Sequence, residues 1–181
     1  MQLVLPTGEY KDSFIEAVKE FQADPQASDR HKTYRELSIV ELEADFDAYV
    51  GRERGYARGE HLPEGFIPWT DYWLVDGGKF IGRISVRHYL TDHLREIGGH
   101  IGYDIRPSKR GQGYGNKILE LALPKVQDLG IQKILVTCDV TNAPSRKIIE
   151  KNGGMLENQV PNPETGIDKL RYWIDIFHPN T

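Results

Sequence analysis

Cysteine is almost missing from this chain: Cys138 is the single one in 181 residues. One thiol excludes an intramolecular disulfide and any metal site built from cysteines, and it suits a reducing compartment. No metal is expected. Long hydrophobic runs are missing too: no stretch approaches the roughly 20 apolar residues that cross a bilayer, and the N-terminus lacks a basic segment followed by an apolar core. The expectation is a cytoplasmic protein with no membrane partner. An excess of positive charge is also absent. A net charge of −4 and a pI near 5.9 give no basic field, so no nucleic-acid partner is expected. Internal repeats, low-complexity tracts and linkers are likewise lacking. Hydrophobic residues at 39% and charged residues at 28% are those of an ordinary globular chain, and the length suits one domain, 1–181, able to bury a core.

The informative stretch is Ile105-Arg106-Pro107-Ser108-Lys109-Arg110-Gly111-Gln112-Gly113-Tyr114-Gly115. Before it, Gly98 to Ile105 reads as a short strand. After it, Ile118, Leu119, Ala122, Leu123, Val126 and Leu129 recur at helical spacing. A helix start offers N–H groups without intrahelical partners, and glycines let that backbone approach an anion without a clashing Cβ. The spacing argues against two common phosphate motifs. A P-loop would end in Gly-Lys-Ser/Thr, whereas Gly111 is followed at that distance by Asn116-Lys117-Ile118; a Rossmann turn needs G-x-G-x-x-G, whereas Gly111, Gly113 and Gly115 are evenly spaced.

Arg110, Gly113 and Gly115 satisfy R-x-x-G-x-G, which resembles the coenzyme A loop of the GNAT superfamily of acyl-CoA-dependent N-acyltransferases. A second block, Asn142-Ala143-Pro144-Ser145-Arg146-Lys147-Ile148-Ile149-Glu150-Lys151-Asn152-Gly153, resembles the later N-x-x-[A/S]…K-x-G block of that family. The resemblance is good from Ile81 to Gly154 and holds in outline elsewhere. Gly98-Gly99-His100-Ile101-Gly102-Tyr103 and Ile105-Arg106-Pro107-Ser108 are similar to a bacterial subgroup whose acceptor is unassigned.

Periodicity predicts a strand at Leu3–Leu5, a helix over Tyr10–Gln22, a break at Asp24–Thr33, and one helix from an N-cap at Ser38 to Val50, stopped by Gly51. Arg52 to Pro68 reads as a long loop, because it holds three glycines and two prolines. Tyr72–Val75 and Lys79–Tyr89 flank Asp76-Gly77-Gly78 as a hairpin. A helix kinked or split at Pro124 follows the glycine loop, then a strand at Ile134–Val140, a helix begun at Pro144 and capped by Gly153, and a strand at Leu170–Phe177. Met155–Val160 is an optional further strand. The order βααβββαβαβ is an α/β chain with a mixed sheet. The resemblance implies the GNAT fold, a mostly antiparallel sheet with splayed middle strands flanked by helices. It divides the chain into acceptor-side helices and loops (1–70), sheet and coenzyme A core (71–154) and C-terminal strands (155–181).

The resemblance further implies that acetyl-CoA is the co-substrate and that an amine, small or on a protein, attacks its thioester directly. The backbone of Arg110, Gly111, Gln112, Gly113, Tyr114 and Gly115 would take the pyrophosphate, and the main chain of Ile105 and Arg106 the pantetheine arm. Asn142 and Ser145 would flank the far end of that arm, and Lys151 belongs to the same block. Asn142 reads equally well as a helix N-cap. Arg106, Lys109 and Arg110 are candidate partners of a ribose phosphate. For the base, His100 comes first, on the strand leading into the loop, with Asp104 on its face by alternation and Asp139 on the next strand; a water relay is the alternative. The usual tyrosine acid of the family corresponds to Ile149, which holds no proton, so Tyr103, Tyr114 or Tyr172 would have to substitute. Cys138 reads as a small core residue rather than a nucleophile. Asp24–Thr33 and Arg52–Trp69 would wall the acceptor, and the acidic run Glu41, Glu43, Asp45, Asp47 reads as a solvated face. Ile149 also leaves open a non-catalytic acyl-CoA-binding module, and a nucleotide-binding regulatory domain is a third reading. The sequence leaves the oligomeric state open, a homodimer included.

Overall fold

A computed structural model describes residues 1–25 and 32–176. Its elements are β1 (Gln2–Val4), α1 (Lys11–Ala23), α2 (Lys32–Arg35), α3 (Ile39–Ala44), α4 (Phe46–Gly55), β2 (Trp69–Asp76), β3 (Lys79–Arg87), β4 (Ile101–Ile105), α5 (Tyr114–Asp128), β5 (Lys133–Asp139), α6 (Ala143–Lys151), β6 (Met155–Val160) and β7 (Lys169–Asp175). The strands form one sheet in the order β1-β2-β3-β4-β5-β7-β6. Every neighbouring pair is antiparallel except β4 and β5.

Two hydrophobic layers sandwich the sheet, because alternate strand residues turn to opposite faces. Leu74, Ile84, Val86 and Ile101 meet Ile118, Leu119 and Ala122 of α5 and Ile149 of α6. On the other face Trp73, Val75 and Phe80 meet Phe14, Val18 and Phe21 of α1 and Phe46 and Tyr49 of α4. That second layer is aromatic: Phe14 stacks on Trp73 with centroids 4.7 Å apart, and Phe21 on Tyr34 at 4.0 Å.

The expected helix Ser38–Val50 is two helices. Asp45 adopts φ −145 and ψ 79, and its carboxylate accepts from the Ala48 N–H at 2.9 Å, so a side-chain cap restarts the helix there. Gly51 does not stop α4, which continues to Gly55 and then a 3-10 turn over Tyr56–Arg58. Burying Phe46, Tyr49, Val50 and Glu53 along one stripe outweighs the modest helix cost of one glycine. The first part of the expected long loop is therefore helical. β2 begins earlier than expected, at Trp69, while β3 ends at Arg87; Gly98 closes a π-helical turn before β4, and the optional strand at Met155–Val160 is present. Helix α5 runs unbroken through Pro124 to Asp128. Residues 26–31 of the expected break, and Phe177, lie outside the described residues.

Candidate active site

The parallel pair β4–β5 is joined at its start, with Ile101 opposite Val136 and the His100 N–H donating to the Leu135 carbonyl at 2.7 Å, and the strands part beyond that point. On the other side β4 stays paired with β3 along its length. Two bonds fix the phase of that ladder: Arg87 N–H to the His100 carbonyl and Arg106 N–H to the Ile81 carbonyl, both 2.8 Å. Ladder bonds in an antiparallel pair fall on alternate residues, so the N–H groups of Tyr103 and Ile105 turn away from β3 and into the gap. This is the expected splay, and it leaves two main-chain donors lining it.

Past Ile105 the chain makes a 3-10 turn at Pro107–Lys109 and enters α5 through Gly113, the N-cap residue. Gly113 has φ 86, a left-handed conformation that residues with a Cβ avoid, and the space its Cβ would fill is open. Among the described residues, the N–H groups of Gly111 to Gly115 donate to no protein acceptor. Five successive free donors at the positive end of a 15-residue helix form an anion cradle. Side chains hold its shape without occupying it: Gln112 Nε2 donates to the Ser108 carbonyl (2.9 Å), and the Tyr114 hydroxyl donates to Asp76 (2.9 Å). Tyr114 therefore brings its N–H to the cradle and sends its phenol away from the gap.

The basic side chains are not all free for a phosphate. Arg106 is buried, with its guanidinium on Glu20 (2.7 Å) and Glu16 (3.1 Å), and Arg110 binds Asp24 (2.6 Å). Glu20 also accepts from the Ser108 N–H at 3.0 Å. These pairs bolt the loop to α1, which corrects the expectation that Arg106 reaches a ribose phosphate. Of the three candidates, Lys109 alone has no acidic partner among the described residues. At the far end of the gap, Asn142 caps α6 by accepting from the Ser145 N–H (3.1 Å), and the Ser145 hydroxyl meets the Tyr103 phenol at 2.8 Å. Lys151 ends α6 beside Asn152, whose amide donates to Asn116 (3.1 Å) in the first turn of α5.

Three expected bases have other work. His100 is buried, and its Nδ1 accepts from the Leu135 N–H at 2.9 Å. Burial, then the positive charges of Arg87 and Arg95, push its pKa down to about 4. The imidazole is neutral with Nδ1 accepting, so its one proton is on Nε2 and no lone pair remains to take another. His100 is a joint between β4 and β5. We expect His100→Leu to leave the Leu135 N–H unpaired at a cost of about 1–3 kcal/mol in thermal denaturation, with no limb of the pH–rate profile lost between pH 6 and 8. Asp104 faces Arg83, its register partner, at 3.5 Å, and Asp139 holds Lys169. Each pairs with a cation, the arrangement of a structural carboxylate. Among the candidate acids, the Tyr172 phenol donates to Glu150 on the far side of β5, so Tyr103 alone stands beside the gap. Burial pushes the Tyr103 phenol up to about 12 against the pull of Ser145, so it keeps its proton near neutral pH. Ile149 and Cys138 are both core residues.

On the α1–α4 face lies a cavity of about 910 Å³, walled by Thr33 and by Arg52, Tyr56, Phe66 and Trp69 from the expected acceptor segments, with Arg83, Ser85 and Arg87 of β3 as its floor. On this face β4 presents Gly102, opposite Ser85 in register, with nothing within 4 Å of where its Cβ would be. The cavity and the gap thus meet across a strand that has no side chain there. Sequence reasoning missed Glu53 and Asp71, the carboxyls beside this cavity. Glu53 falls in the stretch that reads as a loop, and Asp71 lies just before the expected strand. The available signal was the alternation of Trp69, Asp71 and Trp73, which puts a carboxylate on an apolar face.

The family model described as an acetyltransferase (GNAT) domain matches residues 9–155. The chain belongs to the GNAT acetyltransferase family and is an N-acetyltransferase. A curated relative, the uncharacterized N-acetyltransferase YnaD of Bacillus subtilis (strain 168), is 25% identical over 140 residues, covering 75% of each chain. Among solved structures, the Salmonella typhimurium acetyltransferase that modifies the N-terminal serine of ribosomal protein L7/L12 is 17% identical with a TM-score of 0.65, covering 96% of this chain and 93% of that one. The microcin C7 self-immunity acetyltransferase MccE, solved with acetyl-CoA and AMP, is 15% identical with a TM-score of 0.62, covering 96% and 91%. At these identities the structures establish the shared fold.

Proposed function

We propose that this enzyme transfers the acetyl group of acetyl-CoA to a primary amine by direct attack. The pyrophosphate lies on the N–H groups of Gly111 to Gly115 and the thioester arm in the β4–β5 gap, and the acceptor enters from the cavity across Gly102. What carries the reading is one juxtaposition: five unpaired N–H groups at a helix start stand at the mouth of a strand gap that meets a large cavity on the opposite face. An N–H that points into the gap, from Tyr103 or Ile105, is set to polarise the thioester carbonyl as charge develops on its oxygen. Tyr103, protonated and beside the gap, is the group available to give a proton to the departing thiolate, and the proton that the amine sheds on attack passes to water in the cavity. Lys109 adds a positive charge near the cradle.

The test is thiol release from acetyl-CoA over a panel of primary amines, run beside a thermal-shift titration with coenzyme A. Coenzyme A should stabilise the fold and at least one amine should release thiol. Absence of any coenzyme A effect overturns the proposal; tight coenzyme A binding with no turnover would favour a binding module, for which Ile149 in place of the usual tyrosine is the motive. For Tyr103→Phe we expect kcat to fall by about 100-fold with coenzyme A affinity unchanged. Full activity would remove the acid role.

A further inference from the structure

Glu53 is 6% exposed yet lines the 910 Å³ cavity, and behind it lies a second hollow of about 420 Å³ that it also lines. Its carboxyl interacts with that of Asp71 on β2. Asp71 is well supplied with donors: Trp69 Nε1 reaches one oxygen at 2.9 Å and the Ser85 hydroxyl reaches the other. Among the described residues, no N–H or hydroxyl is hydrogen-bonded to Glu53. A buried carboxyl in that position needs either a proton or a cation.

The resident cations are committed elsewhere. Arg83 binds Asp104 at 3.5 Å and lies 5.1 Å from the Tyr34 ring centre; Arg87 donates to the carbonyls of Gly98 and Gly99 at 3.2 and 2.9 Å; Arg52 lies over Tyr49 at 5.6 Å. The phenols of Tyr34, Tyr49 and Tyr56 lie within electrostatic reach of Glu53. Burial first, then the charge of Asp71, push the Glu53 carboxyl up to about 8 against the pull of Arg83 and Arg52. Near neutral pH Glu53 therefore keeps its proton. The cavity wall beside it is aromatic: Tyr56 stacks on Trp69 at 4.2 Å, and Phe66, largely exposed, leans on Trp69 at 6.0 Å. A carboxyl in the lining with π faces beside it attracts a cation on an apolar stem.

We propose that the cavity takes the acceptor as a primary ammonium on an apolar or aromatic stem, with Glu53 as its counter-ion and Tyr56, Phe66 and Trp69 around the stem. The inference rests on the acceptor side assigned under the proposed function. Entry of the ammonium expels the Glu53 proton to the buffer, leaving a carboxylate against the intact R–NH3⁺; no other bond changes on binding, and the ammonium sheds one proton to water before its nitrogen attacks the thioester. Affinity consequently rises with pH until Glu53 is already ionised in the free protein, and then levels off.

The experiment is calorimetric titration of the full chain at pH 7 with 2-phenylethylammonium and with its uncharged analogue 2-phenylethanol, each in phosphate and in Tris. The amine should bind about 10-fold or more tightly than the alcohol, since a hydrogen bond between charged partners is roughly twice as strong as one between neutral groups. Its apparent enthalpy should differ between the buffers by the equivalent of about one released proton. Glu53→Gln should weaken the amine by a similar factor and abolish the buffer dependence. Equal affinity for amine and alcohol, a comparison that needs no variant, overturns the proposal, as does undiminished amine binding by Glu53→Gln. Coenzyme A is titrated into the same samples. Its failure to bind would count against the proposed function, whereas normal coenzyme A binding with no preference for the ammonium would sink the present inference alone.

Discussion

Gly113→Val is expected to weaken coenzyme A binding by about 100-fold or more while leaving a folded protein. The native residue has φ 86, and forcing an L side chain into that region costs about 1–2 kcal/mol, more for a β-branched residue. The backbone relieves that strain by turning, and the adjacent N–H groups turn with it. Each N–H aimed at a phosphate is a charge-assisted bond of about 1.5–3 kcal/mol, so misdirecting two of them exceeds the 2.7 kcal/mol that equals 100-fold. Folding suffers less, because the valine side chain enters open space rather than the core. A fall in Tm of about 2–8 °C is expected for that strain in a chain of this size. Isothermal titration with coenzyme A and thermal denaturation of the same sample separate the two effects. Unchanged affinity would mean that the phosphates bind elsewhere.

Arg106→Ala is expected to be the most destabilising change at the loop. The arginine is 7% exposed and ties α1 to the start of the loop through Glu16 and Glu20, and its guanidinium also reaches the Ser13 hydroxyl, which accepts from the Phe80 N–H. Removing it leaves Glu20 part-buried with no cation, and breaking a buried pair from one side costs about 3–5 kcal/mol. Both glutamates keep some water, so the low end applies, a fall in Tm of about 6–12 °C. Lysine should recover little, since one ammonium cannot serve two carboxylates and a serine as the guanidinium fork does. Burial raises the Glu20 carboxyl, but Arg106 and the Ser108 N–H outweigh it and hold it below the usual carboxylate range. A depressed carboxylate contributes its stability above the unfolded value of about 4.3 and loses it as pH falls through the folded value. The gap in Tm between native protein and variant should therefore narrow below about pH 4. A constant gap would show that packing, and not this ion pair, sets the cost.

The proposed coenzyme A side was legible because it depends on main chain. Gly113 and the helix start of α5 are local features, and a backbone cradle needs only residues that permit its conformation. The acceptor side was not legible for the opposite reason. Gly51 and Gly55 made Arg52–Pro68 look like loop, yet the burial of Phe46, Tyr49 and Glu53 against β2 draws four of those residues into α4. His100 looked like a base by its place before the loop. Only the approach of β5 showed that the Leu135 N–H takes its lone pair. Arg106 looked like a phosphate ligand until α1, some ninety residues earlier in the chain, brought Glu16 and Glu20 to it.

The sequence by itself determined the order of the main elements, the anion cradle at Gly111–Gly115, the helix cap at Asn142 and the absence of a phenol at Ile149. Each of these is set by residues within a few positions of one another, where turn geometry, capping and helical period act. The tertiary structure alone decided which carboxylates are already paired, where β4 and β5 part, and that Glu53 and Asp71, 18 positions apart, share a buried site. Charge, burial and proton affinity depend on what lies across the sheet, and that is fixed when α4, β2 and β3 close on one another.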